Sequence, residues 1–175
     1  MNRTFLPIFL LSSLFLNGCF VFGTDYVTTP FNFPSPNSSL GTIDTVWQIY
    51  TLKGDSIEFS ALRGKKVFAN FWASWCAPCV AEMPHLQALY NAKRNDPSIV
   101  FLFLSIEDKE TVQSFILKHE YTFPVYISKQ APRMLQISFI PSTFLFNSRG
   151  ELAYKKIGYS DWSDSSVVRF LDSLP

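Results

Sequence analysis

The chain has 175 residues with 15 basic and 14 acidic side chains, a formal net charge of +1 that gives no electrostatic reason to expect nucleic acid or an anionic surface as a partner. A folded part of roughly 130 residues can bury a core without help from metal or disulfides, and 18 Phe, 7 Tyr and 4 Trp give that core aromatic bulk. Three cysteines and two histidines leave few candidates for chemistry.

The first segment reads as an address. Asn2-Arg3 gives a positive start, and the stretch from Phe5 to Leu16 is mostly apolar. It is too short for a spanning helix of about 20 residues but suits the hydrophobic region of a secretory signal. It runs into Leu16-Asn17-Gly18-Cys19, which resembles the lipobox of bacterial lipoproteins. On that resemblance Cys19 carries a lipid and becomes the mature N-terminus; a plain signal anchor or a coincidental cysteine is the alternative. Either way the expected location is periplasmic or outer-surface, where disulfides form. The expected division is 1–18 signal peptide, 19–44 lipidated N-terminus and flexible tether, and 45–175 folded domain. Between Gly23 and Thr42, Pro30, Pro34, Pro36 and Gly41 crowd together, which reads as an extended tether and not a packed element.

Regular signals begin at Thr45. Val46 to Tyr50 and Ser56 to Phe59 flank Lys53-Gly54-Asp55, a hairpin pattern. Lys66 to Trp72 is a short, mostly apolar run that fits a strand buried on both faces. After the Cys76/Cys79 pair, Met83, Leu86, Leu89 and Tyr90 mark one face of a helix ending near Asn95 or Pro97, with Pro84 expected to kink it. Further strands are expected at Ile99 to Ser105, Val125 to Ile127, Ser142 to Phe146 and Glu151 to Ile157. Helices are expected at Thr111 to His119, Arg133 to Ile137 and from Asp161 onward. The alternation predicts an α/β fold, a mixed central sheet with helices on both faces and an extra N-terminal hairpin.

Chemistry centres on Trp75-Cys76-Ala77-Pro78-Cys79. One reading of a lone C-x-x-C is half of a zinc site, but structural zinc takes four protein ligands. No second pair exists, and His85 and His119 complete no usual spacing, so no metal or cofactor is expected. A purely structural disulfide is a second reading, yet so short a loop saves little chain entropy. The third is dithiol redox chemistry. The pair follows a buried strand and opens an amphipathic helix, where free N–H groups and the helix dipole favour an anion at Cys76. Pro78 suits the first turn. In this reading Cys76 attacks a substrate disulfide and Cys79 resolves the mixed disulfide.

The run Val67-Phe68-Ala69-Asn70-Phe71-Trp72-Ala73-Ser74-Trp75-Cys76-Ala77-Pro78-Cys79, followed by Glu82-Met83-Pro84, resembles the TlpA/ResA/DsbE-like thioredoxins. These are exported, often membrane-anchored disulfide reductases with a thioredoxin-like fold, and the resemblance extends from about Thr45 to the C-terminus. It implies that Pro141 is cis and brings the Ile140 backbone beside the sulfurs. It places Asn70 where cytosolic thioredoxins carry a buried acid and makes Glu82 the family carboxylate, a candidate to tune thiol ionisation; the alternative for Glu82 is a solvated helix residue. Trp75 is expected to cover the active-site surface and Trp72 to lie in the core. His85 and His119 read as exposed polar residues, and Glu107-Asp108 as helix-start charges. The implied partners are a protein disulfide substrate and a membrane thiol electron donor, with the chain itself a lipid-anchored monomer. Apocytochrome c maturation is the commonest role in the family. A disulfide oxidase or isomerase of the same fold, or a non-catalytic binding module, are the competing functions.

Overall fold

The computed structural model describes residues 26, 28–43 and 46–175; the expected export signal at 1–18 and the expected lipid site Cys19 lie outside these described residues. Among the described residues the strands are β1 (Gln48–Thr51), β2 (Ser56–Glu58), β3 (Lys66–Trp72), β4 (Ile99–Ser105), β5 (Val125–Ile127), β6 (Ser142–Phe146) and β7 (Leu152–Ile157). The α-helices there are α1 (Ala77–Lys93), α2 (Lys109–Lys118) and α3 (Ser165–Ser173). The strands form one sheet in the order β2-β1-β5-β4-β3-β6-β7.

At the centre, β3 runs parallel to β4 and antiparallel to β6. Val67, Phe68, Ala69, Phe71 and Trp72 are all buried, because both faces of this strand are covered. The steps β3 to β4 and β4 to β5 move the same way across the sheet, so right-handed crossovers put α1 and α2 on one face. The packing agrees. Phe68, Phe101 and Phe103 cluster with Met83 and Leu86 of α1, Val112 of α2, and Val167 and Leu171 of α3. On the other face, Val67, Phe71, Leu102 and Phe144 pack under Trp47, Ile49 and two 3₁₀ turns, Phe59–Leu62 and Arg133–Leu135. The mixed sheet with helical cover on both faces is therefore present, with α-helices on one side and 3₁₀ turns on the other. The expected hairpin is β1–β2, paired at Ile49 and Ile57, and β1 also joins β5. No helix among the described residues is long and apolar enough to cross a membrane.

Boundaries moved where a cap decides them. Asp108 caps α2 by accepting from the Thr111 amide, so the helix begins two residues before Thr111. Asp164, not Asp161, caps α3, through the Ser166 amide at 2.7 Å. Gln136 adopts left-handed backbone and closes its 3₁₀ turn after Leu135.

The larger correction concerns the tether. Phe31 and Phe33 face inward around exposed Asn32. Phe33 stacks on Phe170 with centroids 4.2 Å apart, and Phe31 lies 5.1 Å from Trp162. Leu40 donates to the Leu152 carbonyl and Leu152 donates to Gly41, both at 2.7 Å. Thr42 bridges Glu151. The proline-rich segment therefore packs on the domain, and at Glu151 and Leu152 it satisfies backbone groups at the start of β7, the outer strand, that an open edge leaves unpaired.

Candidate active site

β3 delivers the chain to the turn Ala73–Trp75, and Cys76 then caps α1. Its backbone is extended (φ −87°, ψ 98°), and its sulfur accepts from the Cys79 amide at 3.3 Å. Pro78 sits in the first turn, where its missing N–H has no partner to lose. Cys76 and Cys79 form a disulfide with Cα atoms 5.2 Å apart. Cys76 is 5% exposed and Cys79 fully buried, so an outside disulfide can approach only the first sulfur.

The Ile140–Pro141 bond is cis, and the Ile140 carbonyl oxygen lies 3.7 Å from Cys76 Sγ. Pro141 is held from behind, since its carbonyl accepts from the Gly158 amide at 2.8 Å. Gly158 has φ +87°, a backbone region that other residues rarely adopt. In front of Cys76 opens a cleft of about 1130 Å³, whose lining includes Trp75, Ile106, Ile137, Phe139 and the cations Lys129 and Arg133. Trp75 and Phe139 are 68% and 74% exposed at its rim. Trp72 instead packs against Phe115, 5.4 Å between centroids, in the core.

Glu82 is fully buried, which overturns its reading as a solvated helix residue. Its Oε1 accepts from Asn70 Nδ2 at 2.8 Å. Its Oε2 accepts from the Ser160 amide and from Trp162 Nε1, each at 3.1 Å. Burial pushes the carboxyl up to about 8, against the opposing pull of those three donors. Asn70 also donates to Thr143 Oγ1 at 2.9 Å, while its own Oδ1 is buried without a partner.

Ser160, Trp162 and Thr143 were not singled out from sequence. The one usable signal was Trp162, a large ring inside the polar run Tyr159-Ser160-Asp161-Trp162-Ser163-Asp164. Two other expectations are revised. His85 is half-buried and bonded to Asp161 and Tyr159, whereas His119 is exposed and lies against Phe115, its ring tilted by 31° with centroids 4.4 Å apart. Of the pair Glu107-Asp108, only Asp108 acts as a helix start; Glu107 accepts from the Ser74 amide at 2.6 Å and its hydroxyl at 2.7 Å, bracing the turn before Cys76.

A family model described as Redoxin matches residues 36–171. The chain belongs to the Redoxin family. Within it, the chain is 33% identical over 125 residues to the thiol–disulfide oxidoreductase ResA of Halalkalibacterium halodurans, covering 70% of each protein. It is also 33% identical over 121 residues to the sporulation thiol–disulfide oxidoreductase A of Bacillus subtilis, covering 66% of this chain and 73% of that one. The crystal structure of StoA from Bacillus subtilis aligns at TM-score 0.59 and 28% identity, over 75% of this chain and 98% of StoA. A thioredoxin-family thiol:disulfide interchange protein from Chlorobium tepidum shares the fold at TM-score 0.61 and 20% identity, over 77% and 99%. This Redoxin is thus a thiol–disulfide oxidoreductase of the TlpA/ResA/DsbE-like group, and its Cys76–Cys79 pair is a dithiol–disulfide exchange centre.

Proposed function

We propose that this Redoxin works outside the cytoplasm as a protein disulfide reductase, held at a membrane by a lipid on Cys19. The observation that carries the proposal is the asymmetry of the pair. Cys76 lies at a helix N-terminus and at the floor of an open cleft, while Cys79 is buried on the same helix as a carboxyl group with a pKa of about 8. In the reduced protein, the Cys79 amide and the helix dipole stabilise a Cys76 thiolate. That thiolate attacks one sulfur of a substrate disulfide, forming a mixed disulfide and releasing a substrate thiolate. Cys79 then attacks Cys76 Sγ, which restores the internal disulfide and releases the second thiolate. Two electrons pass to the substrate, and the Cys79 proton passes to the ionised fraction of Glu82. A carboxyl near 8 suits this transfer because an ordinary thiol titrates at about 8.5, so the proton moves between groups of similar affinity. A membrane thiol donor restores the dithiol.

The substrate segment is proposed to lie in extended form beside Ile140, with apolar side chains against Trp75 and Phe139. Apocytochrome c is one candidate substrate. A ResA and a relative named for sporulation both stand at 33% identity to this chain.

Two measurements test the proposal. A Cys79→Ser variant should accumulate a mixed disulfide through Cys76 that mass spectrometry identifies, and Cys76→Ser should abolish insulin reduction. Equilibration with glutathione should give a potential on the reducing side, nearer thioredoxin at about −270 mV than DsbA at about −120 mV. A value near the latter would reassign the protein as an oxidase.

A further inference from the structure

Behind Glu82, the loop Gly158 to Asp164 connects β7 to α3. It carries both donors to Glu82 Oε2, the Ser160 amide and the Trp162 indole. The residues interleaved with those donors turn to His85, which stands three positions after Glu82 on α1. His85 Nδ1 lies 2.8 Å from Asp161 Oδ1 and 3.3 Å from Ser163 Oγ. Its Nε2 lies 3.2 Å from the Tyr159 hydroxyl. Both ring nitrogens therefore engage one loop, on either side of the amide that binds Glu82.

We propose that His85 is a positioning residue for the dithiol reaction, fixing the 159–163 loop so that Ser160 and Trp162 hold the carboxylate form of Glu82. The inference rests on the reading that Glu82 exchanges protons with the dithiol. His85 and Asp161 are 31% and 43% exposed, so their ion pair adds little stability by itself. The value of the His85 contacts is geometric, since attachments to Tyr159 and Asp161, on either side of Ser160, restrict the backbone that presents the donors. Both donors favour the ionised form of Glu82 against burial, so loosening the loop raises the carboxyl further. The titratable groups meeting at this corner are Glu82 and His85 from α1, Tyr159 and Asp161 from the loop, and Tyr26, whose ring packs at a tilt against Tyr159 with centroids 5.1 Å apart.

The test follows the Glu82 carboxyl of the full chain by its infrared C=O stretch across pH, with Glu82→Gln identifying the band. His85→Ala should move the midpoint upward by about one unit, the worth of one weakened charge-assisted hydrogen bond. His85→Asn, whose amide can still reach Asp161, should recover part of the shift, and Tyr159→Phe should give a smaller shift in the same direction. Should His85→Ala fold poorly, the Tyr159→Phe shift decides alone. The pH profile of insulin reduction should move with the band in these variants and should not respond to His85→Ala when Glu82 is already Gln. An unmoved band in well-folded His85→Ala and Tyr159→Phe overturns the positioning role. A band that moves while reduction rates ignore both His85 and Glu82 overturns the proton-exchange reading instead.

Discussion

Glu82 ties the stability of this Redoxin to pH in the sense opposite to a salt-bridged carboxylate. Its ordinary value is 4.5 and its folded value about 8. Between those values the unfolded chain has released the proton and the folded chain has kept it. Stability from this group is therefore complete below about pH 4.5 and declines as pH rises toward about 8, by roughly 1.4 kcal/mol per unit at the steepest. Asp96, Asp108, Glu151 and Asp164 have lowered values and act in the opposite sense at acid pH, outside this window. The denaturant midpoint of the wild type should fall from pH 5 to pH 8, and that of Glu82→Gln should stay nearly level; a level wild-type curve would show that Glu82 ionises normally. Glutamine has nearly the same shape and does not titrate, and its oxygen can still accept from Ser160 and Trp162. The spacing of Glu82 from Cys79 was legible in the sequence. Its burial was not, because two of its three donors arrive from 78 and 80 residues away.

Elements that carry their own signal were the easiest to read. β3 is an apolar run whose residues face packing on both sides, and its observed bounds, Lys66–Trp72, are those expected. Its join to α1 was legible because a cap, a first-turn proline and an apolar stripe coincide within a few residues. The segment before the sheet was not legible, since proline, serine and asparagine there compose equally well a free linker or a strand-like strap. Only the inward alternation of Phe31 and Phe33 distinguishes them, and two residues make a weak period. Phe33 is the stronger of the two anchors, with rings of Phe170 at 4.2 Å and Tyr154 at 4.7 Å. Phe33→Ala should cost about 2–3 kcal/mol and lower the melting temperature by about 4–10 °C. Calorimetry of this variant beside Asn32→Ala, whose side chain is exposed, checks the assignment. Equal small effects from both would return the segment to the status of a linker.

On the scale of the whole molecule, the strap joins the N-terminal end of the described chain to the loop behind Glu82. Phe31 packs on Trp162 and Tyr26 on Tyr159, members of the loop that supports Glu82. If Cys19 carries the lipid, residues 20–25 alone separate it from Tyr26, and six residues span at most about 20 Å. With that anchor the domain would stay close to the membrane surface, in contrast to the freer reach that a tether ending at residue 44 would give. The strap also pairs with the start of the outer edge of β7, at Glu151 and Leu152, through the Leu40, Gly41 and Thr42 backbone. Removing it should therefore do two separable things. A fragment starting at Val46 should melt at lower temperature than one starting at Tyr26, because the aromatic contacts to Tyr154, Trp162 and Phe170 are gone. It should also associate as concentration rises, because β7 then presents unpaired backbone groups to other copies. Calorimetry and light scattering on the two fragments measure these effects. A shorter fragment that melts at the same temperature and remains monodisperse would mean that residues 26–43 rest on the domain without supporting it.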